Sequence, residues 1–260
     1  MIDALYIGAT GMAAQQTAVD TVSNNLANVN TTAYKKSKVS FEDMVYRPVT
    51  PKNILSSVES VNTFRGTGVG VSGVGKLFTL GELKKTDNAF DVAINGQGFL
   101  EVLMPDGNVA YSRAGTLEVN RDGLLSVAGG NPLSRMIRVP PDASQLMIDS
   151  DGTVRAIVAD QKDPVELGQL DLAMFSNPSG LNPAGSNLYL ATEQSGSASL
   201  VKPGEQGSGA LQQGYVESSN VKLVEEMINL MLAQRAYEVN TKIVQAADNL
   251  MQMSNNLRHD

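Results

Sequence analysis

The chain has 260 residues, 42% of them hydrophobic, and a formal net charge of −7 at pH 7. This composition is typical of globular proteins, and the acidic balance argues against nucleic acid as the main partner. The sequence contains no cysteine and one histidine, His259. Disulfides, cysteine nucleophiles and cysteine-based zinc sites are therefore excluded, and a histidine-dependent triad would have to use a residue near the end of the sequence.

The start of the sequence lacks the features of a secretory signal peptide. Its first basic residue is Lys35, and polar residues interrupt the apolar positions before it. No apolar run reaches the roughly 20 residues that a membrane-spanning helix needs. We therefore expect any export of this protein to use a route without a cleaved signal peptide.

Apolar residues in the first part of the chain follow the period of an α-helix. They recur at helical spacings and include Leu5, Met12, Val19 and Leu26. The pattern predicts a helix within residues 1–34. We expect it to end in the low thirties, where asparagine and threonine, both weak helix formers, are frequent.

The last part of the chain carries a regular coiled-coil pattern. Its apolar positions alternate between spacings of three and four residues, and no glycine or proline interrupts them. The seam consists of Ala236, Val239, Ile243, Ala246, Leu250, Met253 and Leu257. A broader apolar stretch precedes it, so the sequence predicts a second long helix over residues 219–260.

These two helices suggest either of two arrangements. The first is a self-contained helical hairpin on a globular core. The second is self-assembly, because two long amphipathic helices present more apolar surface than a single partner covers, and ordering the seam costs more free energy than it supplies alone. The length of the helices favours self-assembly.

The middle of the chain changes to the alternating pattern of β-strands. Segments 90–94 and 99–103 alternate and are separated by a turn sequence, and Asp-Gly turns recur at Asp106, Asp122 and Asp151. The sequence predicts a β-domain over residues 86–200. Glycine-, proline- or serine-rich connectors at 35–85 and 201–218 join it to the helices. The predicted fold class is thus α+β, with terminal helices in a coiled-coil layer, extended connectors and a central β-rich domain.

Two short motifs resemble ligand-binding loops but lack the necessary context. Gly68, Gly70 and Gly73 match the dinucleotide pattern, yet a strand-like segment follows where that site needs a helix. Asp149 and Asp151 resemble part of a calcium loop that lacks its remaining ligands, so a hairpin turn is the better interpretation. We predict no catalytic residue, no metal ion, no cofactor and no small-molecule substrate.

Four asparagines lie beside the apolar stripe of the first helix, namely Asn24, Asn25, Asn28 and Asn30. Asparagine is a poor helix residue, so the cluster indicates a specific role. The side chains either bond the backbone at the helix end or fix the register of a buried helical interface. The sequence leaves both alternatives open.

Three blocks of the sequence resemble the axial proteins of the bacterial flagellar rod and hook. They are SNNLANVNTTAYKK at 23–36, DVAINGQGF at 91–99, and GYVESSNV at 214–221 together with QRAYEVN at 234–240. The blocks occur in family order and span nearly the whole chain. Ala33 occupies a position where the family usually has glycine.

The resemblance implies a structural subunit without catalysis. The chain length favours a rod protein over the larger hook protein, and the connector 46–69 resembles the stretch that marks the distal rod subunit. Such subunits polymerise into a hollow helical drive shaft that crosses the periplasm and joins the hook. The alternatives are a proximal rod protein and a self-assembling surface or tail-fibre-like protein.

The resemblance also implies the partners and the location. The partners are further copies of the chain, the proximal rod and hook proteins, the surrounding L and P ring proteins, and the flagellar type III export apparatus. We expect Leu5, Met12, Val19 and Leu26 to pack against Val239, Ile243, Leu250 and Met253 of the same subunit. The predicted self-assembly interface comprises Leu5, Met12, Val19, Asn24, Asn25, Leu26, Asn28, Val29, Ala236, Val239, Ile243, Ala246, Leu250, Met253 and Leu257.

Overall fold

A computed structural model describes residues 2–45, 47–49, 63–127, 129–158 and 163–256. The chain divides into two compact units. The helical unit contains Met1–Ala27, Ser37–Gly75 and Lys222–Asp260, and the β unit contains Asn28–Lys36 and Lys76–Val221. The mixed α and β class with a β-rich middle is confirmed. None of the described helices is long and apolar enough to cross a membrane.

The helical unit consists of two long helices and short strand pairs. The helices are α1 (Ile2–Ala27) and α2 (Leu223–Asn256). The strands are β1 (Ser37–Asp43), β2 (Arg47–Val49), β3 (Thr63–Arg65) and β4 (Val69–Lys76), with β1 beside β4 and β2 antiparallel to β3. Most of the predicted connector 46–69 lies outside the described residues.

Helix α1 ends at Ala27, several residues before the predicted end in the low thirties. The chain turns at once, because the Thr31 backbone N–H donates to the Asn28 carbonyl and the Thr31 hydroxyl bonds the Asn28 side chain. Short polar side chains that bond locally offer the backbone an alternative to the helix. The same residues that weaken the helix in the sequence therefore end it earlier than expected.

The β unit is built from short strands. In chain order they are β5 (Leu83–Lys85), β6 (Val92–Asn95), β7 (Phe99–Leu103), β8 (Val109–Ser112), β9 (Leu117–Val119), β10 (Leu125–Val127), β11 (Asn131–Pro132), β12 (Ala143–Ile148), β13 (Thr153–Val158), β14 (Val165–Gln169), β15 (Leu172–Met174), a 3-10 helix (Pro178–Gly180), β16 (Asn182–Gly185), β17 (Leu188–Leu190), β18 (Ser199–Val201), β19 (Ala210–Gln213) and β20 (Tyr215–Glu217).

The largest described sheet of the β unit has the strand order β16-β17-β8-β7-β15-β18, with antiparallel pairs. The turns at Asp106 and Asp151 connect the β7–β8 and β12–β13 hairpins, as the sequence predicts. Strands β6 and β7 flank the turn sequence 95–98, but β6 pairs with β19 instead. Fully buried Val92, Val102 and Leu172 belong to the core beneath these sheets.

The segment 201–218, expected to be a connector, contains paired strands in the structure. Strand β19 pairs with β6 and β20 pairs with β5, so the β unit extends to Val221. The glycine- and serine-rich composition pointed to a loop. Buried Leu211 and Val216 instead anchor both strands, because side-chain packing overrides local composition in β-sheets.

Candidate assembly surface

Helices α1 and α2 pack against each other in antiparallel orientation at close range. A methyl group added to Gly8 would lie 2.6 Å from Val244 Cγ2, and one added to Gly11 would lie 2.8 Å from Asn240 Nδ2. The Thr241 hydroxyl also lies 3.4 Å from the sulfur of Met12. The absence of a side chain at both glycines therefore permits the close approach of the two helices.

The buried stripe of α2 is made of small and polar residues spaced by sevens. Glu226, Ala233 and Ala247 are buried and Asn240 is half-buried. On α1, Gly8, Gly11, Ala14 and Asn25 are buried. The two helices therefore contact each other through small and polar residues, which let their backbones approach closely.

The predicted intramolecular seam is wrong. Val239, Ile243, Leu250 and Met253 are 45–55% exposed rather than packed against α1. Hydrophobic periodicity selected the stripe with the largest apolar residues. The stripe that contacts α1 instead lies one position further along the chain and carries small residues, because bulky side chains would hold two closely packed helices apart.

The large apolar residues of α2 form a surface that the chain itself leaves open. We define the outer face of α2 as Val224, Met227, Ile228, Met231, Leu232, Val239, Ile243, Leu250 and Met253, each 45–68% exposed. Tyr6 and Ile7 are also exposed on α1. Contiguous apolar surface of this extent marks an interaction site in a folded protein.

The other predicted interface residues that the structure describes range from half-buried to exposed. Leu5, Met12, Val19 and Leu26 are half-buried on α1, and the partners predicted for them on α2 are about half exposed. Beyond the helix, Asn28 and Val29 are half-buried and belong to the β unit. On α2, Ala236 is half-buried and Ala246 is exposed, and Asn24 on α1 is exposed. Leu257 lies outside the described residues.

Asn25 combines both alternatives that the sequence left open for the asparagine cluster. Its side chain is buried, and it bonds the backbone N–H and carbonyl of Ser37 at 2.8 Å each. Its Nδ2 also donates to Glu226 Oε2 at 3.0 Å. Asn25 therefore joins the end of α1, the start of β1 and the first turns of α2.

Sequence reasoning missed Glu226 as a residue of the helix interface. It is fully buried, and its carboxylate accepts hydrogen bonds from the side chains of Asn25 and Asn229. A detectable signal was present, since Glu226 lies seven residues before Ala233 and so belongs to the same buried stripe.

A second missed feature is a buried charge cluster in the β unit, formed by Lys35, Arg113 and Glu217. The Glu217 carboxylate accepts hydrogen bonds from Lys35 Nζ at 2.5 Å and from Arg113 Nε at 2.9 Å. The Arg113 guanidinium also donates to the carbonyls of Gly98, Ile94 and Gly96. Burial lowers the pKa of Lys35, and the neighbouring Glu217 carboxylate opposes that shift.

The two motifs set aside in the sequence occupy structural positions. Gly68 packs against Thr10 of α1, and strand β4 follows it where a dinucleotide site would have a helix. Gly152 has a φ of +89° in the β12–β13 turn, and Asp151 accepts a hydrogen bond from the Thr153 backbone N–H. Within the described residues, no cluster of acidic or histidine side chains is arranged to hold a metal ion.

Comparison with known proteins identifies the family. Three family models match the chain: the flagella basal body rod protein model at residues 5–35, the flagellar hook protein FlgE/F/G D1 domain at 93–156, and the flagellar basal body rod FlgEFG protein C-terminal model at 212–257. The flagellar basal-body rod protein FlgG of Buchnera aphidicola subsp. Baizongia pistaciae is 43% identical over 97% of this chain and 98% of its own length. The chain belongs to the flagellar basal-body rod protein family.

Two relatives from one organism allow the chain to be compared with two branches of this family. FlgG of Caulobacter vibrioides is 38% identical over 99% of this chain and 100% of its own length. FlgF of the same organism is 30% identical over 98% of this chain and 96% of its own length. The resemblance identified in the sequence is confirmed, and this rod protein is more similar to FlgG than to FlgF of that organism.

Proposed function

We propose that this protein is a structural subunit of the distal flagellar rod, in which copies of the chain polymerise into a hollow helical shaft. The observation that carries this proposal is the outer face of α2, whose large apolar residues are about half exposed in the single chain. A folded monomer rarely leaves so much apolar surface open to water.

The occupant that fits this face is a helix from another copy. The family models and relatives reported above are named as proteins of the flagellar rod and hook, and the face runs along most of a 34-residue helix. A contact between the outer face of one copy and a different surface of the next is heterologous, so it generates an open helical filament. In this arrangement the terminal helices form a coiled-coil layer.

The greater identity to FlgG than to FlgF supports the distal position. In the proposed role, the chain leaves the cytoplasm through the flagellar type III export apparatus without losing a signal peptide. It then joins the proximal rod proteins at one end and the hook protein at the other, within the L and P rings of the periplasm. The role needs no catalysis and no cofactor.

A charge on the outer face tests the proposal. Ile243→Asp introduces a carboxylate at an exposed apolar position, so we expect the purified chain to fold normally while a distal-rod deletion strain that carries it remains non-motile. Gln245→Asp is the matched control on an exposed polar position of the same helix and should restore motility. Normal assembly of Ile243→Asp would contradict the proposed interface, and failure of the wild-type gene in that strain would contradict the distal assignment.

A further inference from the structure

The chain passes between the helical unit and the β unit at four places, after residues 27, 36, 75 and 221. On the β-unit side, these crossings belong to three segments: Asn28–Lys36, the segment that begins at Lys76, and the segment that ends at Val221. Independent linkers allow units to move relative to each other. Whether these three segments act independently therefore depends on what joins them inside the β unit.

The side chain of Asn220 joins all three segments. Its Oδ1 accepts a hydrogen bond from the Lys36 backbone N–H at 2.7 Å, and its Nδ2 donates to the Leu77 carbonyl at 2.8 Å and to the Thr79 hydroxyl at 2.9 Å. Backbone bonds support the same arrangement, since the Leu77 N–H donates to the Lys36 carbonyl at 2.9 Å. We define the exit clamp as Lys36, Leu77, Thr79 and Asn220.

The buried charge cluster joins the same three segments close to the exit clamp. Lys35 Nζ bonds Glu217 Oε1 at 2.5 Å and the Thr79 carbonyl at 2.7 Å. Glu217 Oε1 also accepts from the Gly81 backbone N–H at 2.8 Å. Within the described part of the chain, no buried side-chain nitrogen or oxygen is left without a partner. Such satisfied networks of buried polar groups hold one arrangement rigidly.

We propose that Asn220 is a positioning residue that makes the three segments leave the β unit as one rigid bundle. Torque carried by the helical unit of a rotating shaft then enters the β unit through three joined segments rather than through separate linkers. The part of this inference that concerns torque rests on the proposed function. The part that concerns the exit clamp rests on the contacts of Asn220 alone.

The clamp is tested by amide hydrogen exchange on the full-length chain carrying Asn220→Asp. A carboxylate keeps the acceptor for Lys36 but cannot donate to Leu77 or Thr79, so we expect exchange at Lys36 and Leu77 to accelerate about tenfold or more. Amides of the β6–β19 pair should keep wild-type rates. Asn182→Asp makes the same charge change at an exposed strand residue and should leave the exit clamp unchanged.

Thr79→Val provides a milder test, because it removes one acceptor of Asn220 at an exposed position. Exchange at Lys36 and Leu77 should then accelerate to a smaller extent. Wild-type exchange in Asn220→Asp, or equal acceleration of every amide in the β unit, would overturn the clamp. The second outcome would reveal only a global loss of stability.

The torque inference is tested in a rod-deletion strain by swimming at increasing viscosity. We expect Asn220→Asp to assemble and swim in dilute medium but to lose speed steeply as the load rises, while Asn182→Asp behaves as wild type. Wild-type swimming of Asn220→Asp at every viscosity overturns the torque role. If the wild-type gene itself restores no motility, the proposed function fails, and the exchange experiment still decides whether the clamp exists.

Discussion

The two units bury opposite kinds of residues. The β unit encloses large apolar side chains such as Leu100, Val102 and Leu172, which are almost completely buried. The helical unit buries small residues between α1 and α2 and leaves the large apolar residues of α2 half exposed. The β unit therefore buries its large apolar residues within one chain, whereas the helical unit leaves much of its apolar surface open, as the proposed assembly requires.

The largest expected effect on stability comes from the buried charge cluster of the β unit. Glu217→Ala leaves Lys35 and Arg113 buried without their carboxylate, and removing one partner of a buried ion pair costs about 3–5 kcal/mol. We expect the β unit to lose about this much free energy of unfolding, measured by urea denaturation. Glu193→Ala, at an exposed position, should change it little. Equal stability of the two variants would mean that the buried cluster contributes nothing.

A pair of identical substitutions compares the two units directly. Leu100→Ala removes a buried side chain from the β unit and should lower the free energy of unfolding by about 2–5 kcal/mol. Leu250→Ala lies on the outer face of α2 and should leave the stability of the monomer within about 0.5 kcal/mol while weakening polymerisation. If Leu250→Ala destabilises the dilute monomer as strongly as Leu100→Ala, the outer face is already covered within one chain.

A third variant examines the close approach of the helices. Gly8→Ala places a methyl group 2.6 Å from Val244 Cγ2, and such overpacking costs about 1–3 kcal/mol. The gain in helix propensity of about 1 kcal/mol opposes this cost. We expect faster hydrogen exchange in α1 and α2, restored when Val244→Ala makes room for the new methyl group. Failure of Val244→Ala to restore protection would place the strain elsewhere.

Ala33 offers a test of backbone strain in the β unit. It is buried with a φ of +57°, in the left-handed region that glycine adopts without strain. Ala33→Gly relieves that strain but increases the entropy of the unfolded chain and removes a buried methyl group, so we expect the free energy of unfolding to stay within about 0.5 kcal/mol of the wild-type value in thermal unfolding. Ala110→Gly, in buried strand β8, lacks this strain and should destabilise the protein. A loss of stability in Ala33→Gly as large as that in Ala110→Gly would contradict the assignment of strain.

The smallest expected effect concerns pH. The Thr153 backbone N–H lowers the pKa of the exposed Asp151 carboxyl below its ordinary value. A carboxyl group with a lowered pKa in the folded state stabilises above its unfolded pKa, and this contribution is lost as the pH falls below about 4. Asp151→Asn should therefore reduce the pH dependence of unfolding slightly in this window. An unchanged pH profile would indicate that this bond is not formed in solution.

Much of the architecture was predictable because it follows from simple periodicity. The two helices and the Asp-Gly hairpins at Asp106 and Asp151 require only the periods of three to four and of two residues. The strands at Ala210–Gln213 and Tyr215–Glu217 were missed because their pairing partners lie more than a hundred residues earlier. Local composition carries no information about such distant partners.

The assembly surface was predicted only in part, because a hydrophobic pattern does not report how closely two helices approach each other. A hydrophobic pattern ranks residues by size and polarity, so it identified Val239, Ile243, Leu250 and Met253 as the seam. The packing of two helices also depends on how closely their backbones approach, and this favours Gly8, Gly11 and Ala233. The pattern therefore selected the face that α1 leaves uncovered. Asn25 was found, but its buried partner Glu226 was not.

The Asn220 side chain donates to the Leu77 carbonyl at 2.8 Å, so the long β-unit segment Lys76–Val221 begins and ends at adjacent residues. An insertion whose ends lie side by side can be enlarged, shortened or exchanged without displacing what flanks it. The middle of the chain can therefore be exchanged as one piece, both in evolution and in protein engineering. Related chains can vary this segment in this way while they keep one set of terminal helices.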